Sequence, residues 1–259
     1  YCYGVIYNTT EKILAARHDN SYDTHGTHVL GIAGGSSSSA YKGIATGTQL
    51  AVVSTNKSEQ GIIDGVDYLI KYAESQGKPI AINVSLGTVL GYKDGTSNFA
   101  QLLDQLLSGK KGVLLSIATG NEGHRNTMIA SNNNCSSTLV PPSYGRENIF
   151  MQGETGHSYK LKLTLKNTAT GDVLLENILT SDNETSEKIT DFGTDDRANA
   201  LLTMSSLKNA ITEAPTFNIN LSYLTATNEQ WQIEFTTDGG KYMAACDYGS
   251  FAAGGNEGF

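Results

Sequence analysis

Apolar and polar positions along this chain follow two different rhythms. Between residues 49 and 119, short apolar runs alternate with amphipathic stretches, the pattern of a parallel sheet whose strands are joined by crossover helices. Residues 50–53 predict a short buried strand. The stretch 59–76 sets Ile62, Ile63, Val66, Leu69, Ile70 and Ala73 on one helical face, and Gly77, Lys78 and Pro79 predict where that helix stops. Buried strands are predicted over 80–86 and 112–118. Between them, 97–107 predicts an amphipathic helix with Phe99, Leu102, Leu103, Leu106 and Leu107 inward and Gln101, Asp104 and Gln105 outward.

Past Pro141 and Pro142 the period shortens to two. Residues 159–165 alternate apolar and polar side chains, and 173–178, 200–204, 217–223 and 231–235 supply further strands, with polar turns at 167–172 and 237–240. Several short strands at this spacing predict a β-sandwich. The expected fold class is therefore α/β with an added β-sandwich: a core over 1–142, the β-sandwich as an insertion over 143–247, and a return of the chain toward the core over 248–259. The change near 143 is one of composition rather than a linker, which fits an inserted domain as well as an appended one.

Charge and cysteine content narrow the function classes. With 259 residues the chain is long enough to bury a core. Its formal net charge of -8, with Lys110-Lys111 as the one adjacent basic pair, argues against a nucleic-acid partner. No apolar run approaches the roughly 18 residues of a membrane span. The chain opens at Tyr1 without a basic and apolar leader, as expected of a processed or trimmed form. Cys2, Cys135 and Cys246 lie far apart with no CxxC or Cys/His cluster, so zinc and redox motifs are unsupported, and three buried or half-buried thiols fit better than one disulfide.

The chemistry lies in the first half. Asp23-Thr24-His25-Gly26-Thr27-His28 leads into an apolar-periodic stretch, which sets His25 at or near a helix start, where its ring can enter a cleft. Gly26 admits a neighbouring segment, and Gly31, Ala33 and Gly34 let the helix pack closely. By residue type alone, His25 and His28 also fit metal ligands or surface histidines, although joint ligation at this spacing needs a third, distant ligand. Thr119-Gly120-Asn121-Glu122-Gly123 reads on its own as a strand-end turn, and Asn83-Val84-Ser85-Leu86-Gly87 as a buried strand.

Taken in this order, with a helix, a strand and a helix between the first segment and Asn121, these segments resemble the subtilase family of serine proteases. The resemblance implies a subtilisin-like parallel sheet with flanking helices, here only partial. It implies His25 as general base, His28 as structural, and Asn121 as the oxyanion-hole donor. The backbone of Ser85, Leu86 and Gly87 would hold an extended peptide. Residues 43–47 stand where the family has Gly-Val-Ala-Pro, with Thr46 in place of the proline. By analogy, the β-rich half resembles the jelly-roll-like domain inserted in a clostridial group of subtilases.

Two members of the family's Asp, His, Ser order are not recognisable. Upstream of His25 only Asp19 and Asp23 are available, without Asp-Thr-Gly or Asp-Ser-Gly, and no Gly-Thr-Ser-Met-Ala motif follows Asn121. Gly95-Thr96-Ser97 mimics that motif but precedes Asn121 and opens an amphipathic helix, so Ser97 or Thr96 is expected as a helix N-cap. Gly249-Ser250-Phe251 is expected as a turn. The expected protein is a segment of a serine endopeptidase working through an acyl-enzyme, inactive as this chain alone and completed by the remainder of the parent catalytic domain. A peptide-binding or scaffolding pseudoprotease is the alternative. The resemblance further implies a polypeptide substrate, no cofactor beyond the calcium frequent in the family, for which no liganding loop is assignable, and a bacterial extracellular or envelope setting.

Overall fold

The computed structural model of the chain describes residues 4–16, 24–36, 41–92, 94–142, 145–193, 200–223 and 225–252. The chain divides into two compact units, one of Tyr1–Ser85 with Leu106–Ile117, the other of Leu86–Gln105 with Ala118–Phe259.

The first unit holds α1 (Thr10–Ala16), α2 (His25–Gly34), α3 (Glu59–Ser75), β1 (Ile80–Val84) and β2 (Val113–Ile117). The helix α3 forms where its periodicity predicts, with Ile63, Val66, Ile70 and Ala73 buried. The Ser58 hydroxyl caps it by accepting the Gly61 N–H at 3.1 Å. At its far end Gly77 sits at φ 62°, a left-handed position. There its N–H reaches the Glu74 carbonyl at 3.0 Å while the Lys78 N–H reaches Ala73 at 3.1 Å, a Schellman closure. The strands β1 and β2 pair in parallel, Ile80 opposite Val113 through Val84 opposite Ile117.

Residues 50–53 form no strand, and they are not buried: Leu50 is 46% and Val52 66% exposed. This segment packs on helix backbone instead. A Cβ added to Gly34 of α2 would fall 2.7 Å from Leu50, and one on Gly65 of α3 would fall 3.0 Å from Val53. A four-residue apolar run carries too little periodicity to separate these cases.

The helix α4 (Asn98–Leu107) runs across the boundary between the two units. Leu103 is buried there, but Leu102, expected inward, is 41% exposed.

The remaining strands are β3 (Met128–Ser131), β4 (Cys135–Val140), β5 (Arg146–Gly153), β6 (Tyr159–Asn167), β7 (Val173–Thr180), β8 (Thr185–Asp191), β9 (Leu201–Lys208), β10 (Pro215–Ser222), β11 (Glu229–Thr237), β12 (Tyr242–Cys246) and β13 (Ser250–Phe251). They form a six-stranded sheet in the order β3-β12-β5-β10-β9-β8 and a five-stranded sheet in the order β13-β4-β11-β6-β7, antiparallel throughout. Inward residues of both sheets share one core, with Met151, Leu202, Met204 and Phe217 from the first and Leu161, Leu163, Trp231 and Phe235 from the second. The sheets draw on chain outside 143–247, because β3 and β4 precede that span and β13 follows it. Ser250 and Phe251 are therefore strand rather than turn, opposite Val140 and Leu139, and the bend is confined to residues 247–249.

That bend is held from two sides. Glu147, fully buried on β5, accepts N–H groups of Asn148 at 3.1 Å, Asp247 at 2.9 Å, Tyr248 at 3.1 Å and also Gly249. The Arg125 guanidinium donates to the carbonyls of Tyr248, Gly249 at 3.3 Å and Asp247 at 3.5 Å. Burial pushes the Glu147 carboxyl above the usual range, against the opposing pull of its four N–H bonds.

Candidate active site

His25 is the first residue of α2, whose opening hydrogen bond runs from the His28 N–H to the Thr24 carbonyl at 3.1 Å. The other end of the helix is fixed by an extended segment. Gly43, Ile44 and Ala45 donate their N–H groups to Gly35, Ile32 and Ala33 at 2.8, 3.0 and 2.8 Å, satisfying carbonyls that a helix end leaves open. Only glycine allows this approach at 43, since a Cβ there would lie 2.4 Å from the Gly35 nitrogen. Thr46 needs no proline to turn the chain, because Thr48 closes the turn on the Ala45 carbonyl through its N–H at 3.2 Å and its hydroxyl at 2.7 Å.

The His25 ring is exposed, and its Nε2 lies 3.0 Å from the Ser85 carbonyl. A carbonyl can only accept, so Nε2 carries the proton and donates. The Ser85 hydroxyl in turn accepts from the Asn83 amide at 2.9 Å. The first unit thus brings together His25 and the residue that follows β1. His28 is exposed on α2. Among the described residues, no group of three or more His, Cys, Asp or Glu side chains is placed to hold a metal ion.

In the second unit, the chain leaving β2 turns at Gly120, φ 98°, where a Cβ would meet the Glu122 carboxylate at 2.6 Å. Asn121 is exposed, and its N–H donates to Glu122 Oε2 at 2.7 Å. Glu122 also receives the Arg125 N–H on its carbonyl at 2.8 Å, and its carboxylate lies 3.9 Å from the Arg125 guanidinium. The Asn121 loop is therefore tied through Glu122 and Arg125 to the bend at 247–249. Gly87 is exposed, and a Cβ there would sit 3.5 Å from the Ala118 carbonyl at the head of the same loop. Leu86 is half-buried beside it.

Sequence reasoning did not find Glu122 and Arg125 as supports of Asn121. The partners that tie Arg125 to the 247–249 bend lie more than 120 residues away in sequence, where no local pattern signals them.

Ser97 is an N-cap, accepting the Ala100 N–H at 3.1 Å, whereas Thr96 bonds through its N–H and hydroxyl to Asp94 at 3.0 and 2.7 Å. Asp19, Asp23, Cys2 and residues 253–259 lie outside the described residues. Cys135 and Cys246 are free thiols, and burial pushes Cys246 from its ordinary 9.0 up to about 12.

The sequence profile of the subtilase family matches residues 5–246. Proteinase T of Parengyodontium album is 33% identical over 111 residues, a match covering 40% of this chain and 34% of that protein. Among solved structures, the Clostridium perfringens CspB protease superposes with a TM-score of 0.69 at 18% identity, covering 96% of this chain and 56% of that one. This chain therefore corresponds to only part of the length of the relatives it matches.

Proposed function

Because the chain belongs to the subtilase family, we propose that it is the segment of a serine endopeptidase that carries the general base, the oxyanion donor and one wall of the peptide site. The observation that supports this most directly is the 3.0 Å bond from His25 Nε2 to the Ser85 carbonyl. It sets an imidazole against the backbone segment that would pair with an extended peptide.

In this reading the nucleophilic serine and the triad carboxylate belong to the remainder of the parent catalytic domain. The serine hydroxyl gives its proton to Nε2 of His25 as its oxygen attacks the scissile carbonyl. The resulting imidazolium returns the proton to the leaving amine as the C–N bond breaks, and water then repeats the sequence on the acyl-enzyme. His25 must change tautomer first, because an Nε2 that donates to Ser85 cannot accept. A carboxylate at Nδ1 selects the Nδ1–H form and frees the Nε2 lone pair. The Asn121 amide donates to the oxyanion; loss of such a donor in subtilisin lowers kcat by about 10²- to 10³-fold.

The other parts of the reading follow from the family. The substrate is a polypeptide, with Ser85, Leu86 and Gly87 offering main-chain groups to it. The two antiparallel sheets form a jelly-roll-like β-sandwich inserted in the catalytic fold. Side-chain acyl transfer needs no cofactor, and the setting is extracellular or at a bacterial envelope.

A fluorophosphonate serine probe tests the proposal. The full-length protein should label stoichiometrically, His25→Ala should slow labelling by about 10³-fold or more, and the 259-residue chain alone should not label. Labelling of the chain alone would make Ser97 a nucleophile candidate again. An unreactive full-length protein would leave the peptide-binding pseudoprotease as the better reading.

A further inference from the structure

The segment that follows the Ser85-Leu86-Gly87 backbone is built from local turns and fastened to the six-stranded sheet through one aromatic side chain. Thr88 accepts the Leu90 N–H at 3.0 Å, Asp94 accepts from Thr96, and Ser97 caps α4. Gly91 and Gly95, at φ 85° and 80°, supply the left-handed positions that reverse the chain on either side of Tyr92. The Tyr92 ring packs edge-on against Phe150, with centroids 5.1 Å apart and planes at 82°. Phe150 lies on β5 between Ile149 and Met151, which both face the core, so its own ring projects from the opposite face of the sheet. Tyr92 covers an aromatic side chain that faces away from that core.

The Tyr92 ring is therefore held by a strand of the six-stranded sheet, five residues beyond Gly87.

We propose that Tyr92 is a positioning residue for peptide binding: by anchoring residues 88–92 to Phe150, it holds the Leu86-Gly87 backbone in register with an extended substrate. The inference rests on the protease reading above. It gives the β-rich sheets a direct part in substrate binding, through a single side chain that touches no substrate.

The test uses the full-length protein. Tyr92→Ala should raise KM for extended peptides at least tenfold with kcat within about threefold, and should leave the fluorophosphonate labelling rate unchanged, because the probe does not need the peptide-binding backbone. Tyr92→Phe, which keeps the ring contact, should recover most of the loss. Hydrogen exchange supplies a readout independent of activity: amides of residues 86–92 should exchange at least tenfold faster in Tyr92→Ala, while those of β6 and β11 stay protected. Unchanged KM together with unchanged exchange would overturn the inference, as would equal losses in KM and labelling rate. A wild-type protein that does not label would instead count against the protease reading, and the exchange experiment would still decide whether Tyr92 holds the segment.

Discussion

Single residues here carry structural consequences out of proportion to their visibility in the sequence. Glu147 is the clearest case. It stands where β5 should present an apolar side chain to the interior, and it stays there because it terminates four backbone N–H groups, three of them from the bend at 247–249. Glu147→Leu would leave those donors buried without acceptors, and should cost about 3–5 kcal/mol in urea denaturation. Its pH dependence has a definite sign. Since burial holds the folded carboxyl above its ordinary 4.5, the folded state binds the proton more tightly than the unfolded state. The contribution is fully present below 4.5 and is lost as pH rises through the raised value. Glu147→Gln removes that titration, so the wild type's stability relative to Glu147→Gln should fall as pH is raised from 4 toward neutrality. A difference that is flat, or that grows with pH, would show that the four N–H bonds outweigh burial.

At the level of elements, legibility followed the strength of the period and the chemistry of the ends. The helix α3 could be read to within a residue because its apolar face, Ser58 and Gly77 agree. The strands β6, β10 and β11 could be read because Leu161, Leu163 and Leu165, Phe217, Ile219 and Leu221, and Trp231, Ile233 and Phe235 alternate inward along them. The strand β5 escaped because Glu147 interrupts its alternation, and β8 because it is an edge strand with almost every side chain in solvent. For β12, five small or apolar residues in a row carry no period at all. The candidate site divides the same way. His25, Asn121 and Ser85 announce themselves in local motifs, whereas the His25–Ser85 bond joins residues 60 positions apart and the Arg125 bonds to the 247–249 bend join residues more than 120 apart. The α4 cap gives a direct check on the serine that mimics a nucleophile. Ser97→Ala removes the acceptor for the Ala100 N–H and should cost about 1 kcal/mol of stability. The fluorophosphonate labelling rate of the full-length protein should be unaltered. A loss of labelling without a loss of stability would mean that Ser97 has a chemical role.

For the whole molecule, the contrast between the two units decides what to expect of the 259-residue chain on its own. The β-rich sheets enclose a continuous core in which Trp231, Phe217, Phe235 and Met151 are at most 1% exposed. The first unit has a parallel pair of only five residues per strand, with Leu114 64% and Ile117 42% exposed. Parallel strands are ordinarily buried on both faces, and a two-stranded ribbon alone is marginal in water. The relatives that this chain matches are longer than it, so further chain is available in such proteins to cover such a face. Amides of β1 and β2 in the isolated chain should therefore exchange with deuterium at least 10³-fold faster than those of β6 and β11, and the chain should bind a hydrophobic dye such as ANS. In the full-length protein the exchange gap should narrow to within about tenfold and the dye signal should fall. Equal protection of β1 and β6 in the isolated chain would mean that the parallel pair is stable without a cover, and that the exposed leucine and isoleucine are surface residues in their own right.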